Sequence, residues 1–464
     1  MTSPQPPGAP ASDAPPADAP HSATHPASAP APATRPANAP TPRPPDDDLR
    51  IGVIGLGLRG SLAETAHRPG AGARVAAVAD LDPAVRAEAA ARFPGAAVTD
   101  DHRTILGSAD IDAVLVLTPD HTHAELACEA LRAGKPVLVE KPLDITVERC
   151  DAILRTAYET GTRLYVGHNM RHMPVIRLMR DLITRGDIGE VKTVWVRHFV
   201  GHGGDFYFKD WHAERRCTTG LLLQKAAHDL DVLHWLAGGY TRQVQALGDL
   251  MVYGAPDADR RAPGEPKAAG WLDDDNWPPR SQRNLNPVID VEDVSLVNLR
   301  LDNGVLAAYQ QCHFTPDYWR NYTVIGDAGR LENFGDGPGA VVKVWNARRS
   351  GHRPEADAVH PVPDLQDNAF HGGADPLLID EFLRFARDGG PTDTSPVAAR
   401  MAVAAGAQAT ASLRDGGTPR TIPPLDADLA AYFAAHQSRA DQSRADQCRA
   451  RQPSSTNSRP ALDD

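Results

Sequence analysis

The segment from Arg50 to Gly60, RIGVIGLGLRG, restricts the fold more than any other part of the sequence. It joins a short buried-strand pattern to three glycines spaced as GxGxxG, and a helical pattern follows. In such a turn the first glycine allows the tight bend, the second lets a pyrophosphate approach the backbone, and the helix N-terminus presents N–H groups to the anion. The segment predicts a dinucleotide-binding loop, whose expected cofactor contacts are Gly55, Gly57, Leu58, Arg59 and Gly60.

A second strand pattern, ARVAAVAD, ends at Asp80, twenty residues beyond Gly60. A carboxylate at this position binds the adenosine ribose hydroxyls of a dinucleotide. It also repels the additional phosphate of NADP, and the following Leu81 and Asp82 provide no arginine to bind that phosphate. We therefore predict NAD as the cofactor, with NADP less favoured. The alternative is a glycine turn that binds no ligand.

Short apolar strand patterns, such as AVLVLTP and PVLVEKP, alternate with helical patterns up to residue 168. This alternation is typical of a parallel, doubly wound sheet, in which ligands bind at the carboxyl ends of the strands. Three polar clusters, TPDHTH, EKP and GHNMRH, lie at those ends. The sequence predicts a Rossmann domain over residues 49–168, with further cofactor contacts from Thr118, Pro119, His121, Glu140, Lys141 and Asn169.

Six motifs in order, GLGLRG, TPDHTH, VLVEKP, GHNMRH, IGEVKTVWVRH and QKAAHDLDVLHWL, resemble the Gfo/Idh/MocA oxidoreductase family. The resemblance spans about residues 49–425 and implies a Rossmann domain followed by an α/β domain, residues 169–425, built on a large, mostly antiparallel, open sheet. It also implies NAD or NADP as cofactor and a sugar or cyclitol hydroxyl as the group oxidised. A homo-oligomer, either a dimer or a tetramer, would assemble through the open sheet.

The two ends of the chain differ in composition from the rest. Residues 1–48 are rich in proline and alanine and predict a disordered tail, and residues 426–464, with tandem SRADQ repeats, predict a low-complexity tail. The net charge of −12 comes from mixed charges, which predicts no nucleic-acid binding, and no apolar run is long enough to cross a membrane. Five scattered cysteines without CxxC spacing favour reduced thiols and a cytoplasmic protein.

Lys141 follows an apolar strand and precedes Pro142. Oxidation of a carbinol by nicotinamide needs a base for the hydroxyl proton and a donor that lowers the pKa of that proton. A lysine at this strand end would project toward the nicotinamide, and partial burial would lower its pKa into a useful range. The resemblance identifies Lys141 as the family's catalytic lysine. The alternative is an exposed lysine before a turn.

The segment from Gly220 to Leu236, GLLLQKAAHDLDVLHWL, predicts an amphipathic helix. Its apolar stripe would anchor the helix, and its polar side would form one wall of a substrate pocket. The family's pattern in this helix is Asp-x-x-x-His-x-x-Asp. This chain supplies Gln224, His228 and Asp231, so the histidine and the later aspartate are present and the leading aspartate is not.

That substitution decides the roles we assign. Gln224 cannot act as a base or hold His228 in an imidazolium pair, so we assign His228 as the acid/base and Lys141 as its partner. The division of labour between them stays open. Lys225 would donate to the substrate or lower the pKa of His228. The alternative for His228 is a purely structural hydrogen bond.

Further substrate contacts are predicted from Gln224 and Asp231 and from residues outside the helix. His198, in WVRHF, matches a position at which inositol dehydrogenases place a substrate-binding histidine, but it can equally belong to the sheet core. Arg171, in GHNMRH, can reach the sugar or pair with an acid. Trp211, in DFYFKDWHAERR, suits a loop that closes over a carbohydrate, or a subunit contact.

The pair His121-x-His123 is also compatible with a metal site, to which His228 and Asp231 could contribute. Against this, TPDHTH ends a Rossmann strand, where its residues are expected to line the dinucleotide. We therefore predict no metal.

The favoured function is an NAD-dependent dehydrogenase that oxidises a secondary hydroxyl of a sugar, sugar acid or cyclitol. A substrate with a carboxylate requires that Arg171, Arg197 or Lys225 face the pocket. A second candidate is an NAD-dependent glycosidase that oxidises a sugar transiently and eliminates a glycoside. A third is a non-catalytic nucleotide sensor, against which Lys141 and His228 argue because a sensor has no need of proton transfer.

Overall fold

The computed structural model describes residues 48–268, 272–363 and 372–437. Most of the two predicted tails, residues 1–47 and 438–464, lies outside these ranges. The described residues build two sheets, one of six strands and one of nine. Among these residues, no helix is both long enough and apolar enough to span a membrane.

The first sheet is parallel throughout and has the strand order β3-β2-β1-β4-β5-β6. Its central strands are buried, and β4 and β5 are apolar at every position, as expected for a sheet covered on both faces. The strands are β1 (Leu49–Ile54), β2 (Ala73–Ala79), β3 (Ala97–Thr99), β4 (Ala113–Val116), β5 (Val137–Val139) and β6 (Leu164–Val166). The connecting helices are α1 (Ser61–Ala66), α2 (Pro83–Arg92), α3 (His102–Gly107), α4 (His123–Arg132) and α5 (Val147–Thr160). The predicted doubly wound sheet is confirmed.

The second sheet is open and has the order β14-β13-β12-β11-β7-β10-β9-β8-β15. Only the β7–β10 pair is parallel, so the predicted mostly antiparallel sheet is also confirmed. The strands are β7 (Val191–Phe199), β8 (Thr241–Asp249), β9 (Val294–Leu301), β10 (Leu306–Cys312), β11 (Trp319–Gly326), β12 (Arg330–Phe334), β13 (Val341–Trp345), β14 (Ala358–Pro361) and β15 (Arg420–Thr421). Buried and accessible residues alternate along β7 and β9, because only one face of the sheet is covered by helices.

The helices of the second half follow the same chain order. They are α6 (Pro174–Arg185), α7 (Gly203–Tyr207), α8 (Arg215–Thr218), α9 (Leu221–Gln224), α10 (Ala226–Ala237), α11 (Ala374–Asp388), α12 (Pro396–Arg414) and α13 (Ala427–His436). Short 3-10 turns occupy Asp120–Thr122, Asn169–His172, Trp211–Ala213 and Pro279–Ser281.

The last three helices pack against the first sheet, although they lie outside the range 49–168 predicted for the Rossmann domain. Phe382 of α11 packs in one cluster with Ile51 and Val53 of β1. Phe433 of α13 packs in another cluster with the residues of β5 and β6, although it lies within the segment predicted as a low-complexity tail. That prediction is wrong for residues 427–436: Asp426 caps the helix by accepting from the Asp428 N–H, and its apolar side is buried.

Candidate active site

The glycine loop leaves room for a ligand at the carboxyl end of the first sheet. Gly55 has φ of +81°, and a Cβ there would lie 2.7 Å from Thr118 Cγ2. A Cβ at Gly57 would instead enter open space, with no atom of the described residues within 4 Å. At the end of β2, Asp80 accepts hydrogen bonds of 2.9 Å from the N–H groups of Leu56 and Asp82. The loop and the acid therefore fit a dinucleotide, with space where its pyrophosphate would approach the backbone.

Arg86 also reaches the end of β2, although neither of the two residues that directly follow Asp80 is an arginine. The Arg86 guanidinium donates to the carbonyl oxygens of Asp80 and Leu81 at 2.8 and 3.0 Å. Its charge therefore lies beside the position expected for the adenosine ribose, with one nitrogen engaged by the backbone.

The predicted cofactor contacts Arg59, Glu140 and Asn169 belong to one network of ion pairs and hydrogen bonds. Arg59 Nε donates to Glu140 at 2.8 Å, and its two terminal nitrogens donate to Asp375 at 2.9 and 3.0 Å. Asn169 donates to the same Asp375 carboxylate at 2.7 Å. Burial opposes the charge of Arg59, but the two carboxylates outweigh burial and raise its pKa. Asp375 lies in the first turn of α11. It was not predicted, because nothing in the local sequence of α11 connects it to the glycine loop.

Lys141 lies at the end of β5, close to the helix that carries the polar residues. Its Nζ is 3.5 Å from the carbonyl oxygen of Gln224. Burial lowers the pKa of Lys141, while the carboxylates of Glu140 and Asp120 oppose this effect. The direction of the shift agrees with the expectation from the sequence.

Asp120 is a further acid of this site that was not predicted. It lies in the 3-10 turn after β4, within the quoted TPDHTH motif, and only 3% of it is exposed. Burial raises its pKa well above the usual range, and the nearby Lys141 ammonium opposes that rise. The residue type alone gave no signal, since most aspartates in such turns are exposed caps.

The polar helix is buried on all sides rather than on one. It forms two pieces, α9 and α10, separated at Lys225, whose backbone nevertheless stays helical. Every residue of α10 except Trp235 is buried, because α6, α12 and β7 cover it. The prediction of an amphipathic helix is therefore wrong for α10. His228 lies one helical turn after Gln224 and is 2% exposed.

Asp229 is the centre of a buried network between α10 and the inner face of the second sheet. It accepts hydrogen bonds from Tyr322 and, at 3.1 Å, from Tyr309, and its carboxylate lies 3.0 Å from both Arg320 Nε and His198 Nδ1. Burial alone would raise its pKa, but Arg320 and His198 outweigh burial and hold the pKa well below the usual range. Arg320, Tyr309 and Tyr322 were not predicted, because each reads as one polar residue in an ordinary strand.

His198 is placed on the buried face of β7. Register pairs it with Gln311 of β10 and Arg320 of β11, and none of its surface is exposed. Burial and the Arg320 charge lower its pKa to about 3. Because the Asp229 carboxylate can only accept, Nδ1 carries the proton, and Nε2 is left as an acceptor with no hydrogen-bond partner within the described residues.

Arg171 and Asp231 bind each other instead of offering free polar groups. Arg171 donates to both Asp231 oxygens at 2.7 Å, and each residue is 1% exposed. Arg171 also donates to the Asp393 carbonyl and lies over the Trp235 ring. The substrate contacts predicted for these two residues would require breaking a buried bidentate pair. The alternative noted for Arg171, pairing with an acid, is what the structure contains.

Aromatic residues connect the loop before α8 with Lys225. The half-buried Trp211 stacks on His212 with 3.7 Å between ring centres, and His212 in turn contacts Tyr207 edge-on. The Lys225 Nζ lies 5.6 Å from the centre of the Tyr207 ring. Trp211 therefore reaches the candidate site through two intervening rings.

The histidine His123 of TPDHTH has contacts to the backbone at both ring nitrogens. Both ring nitrogens of His123 lie within hydrogen-bond distance of carbonyl oxygens, those of Pro142 at 2.8 Å and Thr118 at 2.9 Å, so the ring ties two loops together. His121 is only half-buried, and its carbonyl accepts from Arg149. In the part of the chain that the structure describes, no group of three or more possible ligands could hold a metal ion.

Comparison with known proteins gives two adjoining family matches. Residues 49–168 match the Gfo/Idh/MocA oxidoreductase family, NAD-binding Rossmann fold, and residues 180–421 match its C-terminal α/β domain. The Bacillus subtilis protein YteT is 25% identical over 307 residues, 59% of this chain and 72% of its own length.

An inositol 2-dehydrogenase of Rhizobium meliloti is 35% identical over 207 residues, which cover 44% of this chain and 59% of the relative. The chain thus spans less than two thirds of that relative. A solved structure of levoglucosan dehydrogenase with NADH and levoglucosan has a TM-score of 0.66 at 20% identity, covering 82% of this chain and 100% of the other. That similarity shows a shared fold.

Proposed function

The chain belongs to the Gfo/Idh/MocA oxidoreductase family and has its NAD-binding Rossmann domain, and from that premise we propose that it is an NAD-dependent dehydrogenase. Its substrate would be a small carbohydrate or cyclitol that carries a secondary hydroxyl. The observation that carries the proposal is the position of Lys141, a partly buried lysine after a Rossmann strand. Its Nζ lies 3.5 Å from the Gln224 carbonyl oxygen at the end of α9, one turn before His228 in α10.

The cofactor would lie across the glycine loop, with Gly57 leaving room for the pyrophosphate and Asp80 facing the adenosine ribose. NAD would accept the hydride from the carbinol carbon. Asp80 favours NAD over NADP because a second negative charge beside its carboxylate is repelled. Arg86 acts in the opposite direction, so the ratio of kcat/KM for the two cofactors measures which charge dominates.

We assign proton transfer to His228 and Lys141. Lys141 would hydrogen-bond the substrate hydroxyl, and its lowered pKa makes it a better proton-exchange partner than an exposed lysine. His228, one turn beyond Gln224 on a buried helix, would be the acid/base that takes the proton away from the carbinol. The buried network around Asp229 would hold that helix in position against the sheet.

The test is NADH formation at 340 nm with NAD and a panel of sugars, sugar acids and inositols. Replacing Lys141 by Ala should lower kcat by about 10²–10⁴-fold, the usual range for loss of an acid/base group, while NAD binding measured by calorimetry persists. Lys135→Ala is a matched control, because Lys135 is also partly buried with a lowered pKa but, among the residues that the structure describes, donates only to the Ser108 and Ile111 carbonyls.

Other outcomes would redirect the proposal. Cleavage of chromogenic glycosides without net NADH would identify the NAD-dependent glycosidase. Tight NAD binding with neither reaction would favour a nucleotide sensor. Equal activity of the Lys141→Ala variant and the wild type would refute the role of Lys141.

We also propose that copies of the chain associate through the outer face of the second sheet. This face carries large apolar side chains that are 47–57% exposed: Trp195, Leu247, Leu296 and Leu306. Such a patch is typical of a protein interface. Light scattering should give a dimer or tetramer for the wild type and a smaller species for Trp195→Glu, whereas a monomeric wild type would contradict the proposal.

A further inference from the structure

Lys225 is a lysine of the candidate site with no carboxylate partner among the described residues. Its Nζ lies over the Tyr207 ring. Among the described residues, no carboxylate oxygen lies within 4.0 Å of this Nζ, the limit for an ion pair. Lys225 is only partly accessible, so water replaces a counter-ion incompletely. A protonated amine in such a position gains stability when an anion binds beside it.

The nearest acids are already committed to other groups. Asp229 binds Arg320, His198 and two tyrosines, and Asp336 accepts from the Tyr318 hydroxyl. The other neighbouring charges, Arg320 and Lys141, are positive. Together with burial they lower the pKa of Lys225 well below its usual value. Within the described part of the chain Lys225 therefore has no close counter-ion, and an anionic ligand would supply one.

Two buried histidines near Lys225 have nitrogens without partners. His198 Nε2 and both ring nitrogens of His313 make no hydrogen bond within the described residues, and both residues are fully buried. His313 packs edge-on against Tyr207 at 5.1 Å, the same ring that faces Lys225. The ring contact of His198 is with a different residue, Tyr318, at 5.8 Å. Buried polar atoms are normally hydrogen-bonded, so these unpaired nitrogens indicate where polar groups of a ligand would bind.

We propose that Lys225, His198 and His313 form a subsite for the carboxylate end of the substrate, which makes that substrate a polyhydroxy acid rather than a neutral sugar or cyclitol. This inference rests on the proposed dehydrogenase function and narrows it. The carboxylate would accept from the Lys225 ammonium and from an N–H of neutral His313. His198 Nε2, held as an acceptor by Asp229, would accept from a neighbouring hydroxyl.

The position of the subsite limits where the acid group lies relative to the reacting carbon. Lys225 directly follows Gln224, whose carbonyl oxygen contacts Lys141. The carboxylate and the oxidised hydroxyl would therefore bind on adjacent parts of one short molecule.

The experiment is calorimetric titration of the NAD-loaded protein with matched acid and neutral compounds: glucuronate and glucose, galacturonate and galactose, gluconate and glucitol. We expect at least one acid to bind more tightly than its neutral partner. Lys225→Met should weaken binding of that acid about 10–100-fold, as expected for loss of a charged hydrogen bond, and weaken binding of the neutral partner by a clearly smaller factor.

Lys343→Met is the matched control, because the Lys343 Nζ also lies over an aromatic ring, that of Phe334 at 4.3 Å, but on β13. It should leave both affinities unchanged. If Lys225→Met does not fold, the salt dependence of wild-type binding replaces it: added NaCl should weaken binding of the acid and not of the neutral compound.

Three results would overturn the subsite: neutral members that bind as tightly as their acids, equal weakening of both by Lys225→Met, or no binding by any acid. The binding preference is separate from turnover. Tight acid binding without NADH formation would refute the dehydrogenase and support the subsite. NADH formation from neutral substrates with no preference for acids would support the dehydrogenase and refute the subsite.

Discussion

Replacement of Asp229 by Asn tests whether the buried network stabilises the junction of α10 and the second sheet. Asp229 is fully buried, and so is its main charged partner, Arg320, which is 2% exposed. The Arg320 Nε lies 3.0 Å from the Asp229 carboxylate. The variant keeps the size of the side chain but leaves the guanidinium without a counter-charge. Loss of one partner of a buried pair costs about 3–5 kcal/mol. We expect a decrease of that size in the free energy of unfolding.

Urea titrations followed by circular dichroism would measure the decrease. If the uncompensated Arg320 charge is the cause, the double variant Asp229→Asn/Arg320→Gln should be more stable than Asp229→Asn alone, because neither charge remains buried. Asp415→Asn is the control: its pair with Arg420 is exposed, with side-chain exposures of 55% and 38%, and should contribute less than about 1 kcal/mol. A single variant that loses no more than the control would refute the reasoning.

Three further predictions concern the loop, the return helices and acid stability. Gly57→Ala should weaken NAD binding in calorimetry without lowering the melting temperature, whereas Gly55→Ala should lower the melting temperature because its φ is +81° and its Cβ would crowd Thr118. Phe433→Ala should lower the free energy of unfolding by about 3–5 kcal/mol. An unchanged urea midpoint would show that residues 427–436 do not contribute to the folded core. Burial and Arg177 lower the pKa of His172 to about 4. Since this is below the unfolded value of about 6.5, stability should fall as pH drops from about 6.5 to about 4, and less steeply in His172→Gln.

The positions of several predicted cofactor contacts depend on short segments of the sequence. The glycine loop, Asp80 and Lys141 each follow a mainly apolar strand, and the carboxyl ends of parallel strands meet at one edge of a sheet. Their placement therefore needs only the strand order, which right-handed crossovers largely fix. The change from Asp to Gln at position 224 was likewise visible in the sequence, because it departs from a motif of fixed spacing.

Contacts between distant segments were decided by the tertiary structure alone. Asp375 pairs with Arg59, which lies 316 residues earlier in the chain. Arg171 pairs with Asp231, 60 residues later. Arg320, on a strand of the second sheet, pairs with Asp229 of α10. The identity of a polar residue in the sequence does not show whether its side chain pairs with a buried partner or faces a ligand. The sequence by itself determined the two sheets and the dinucleotide loop, since local periodicity and glycine spacing encode them. Which charges are neutralised inside the protein, and which remain for a substrate, follows only from how the helices pack on those sheets.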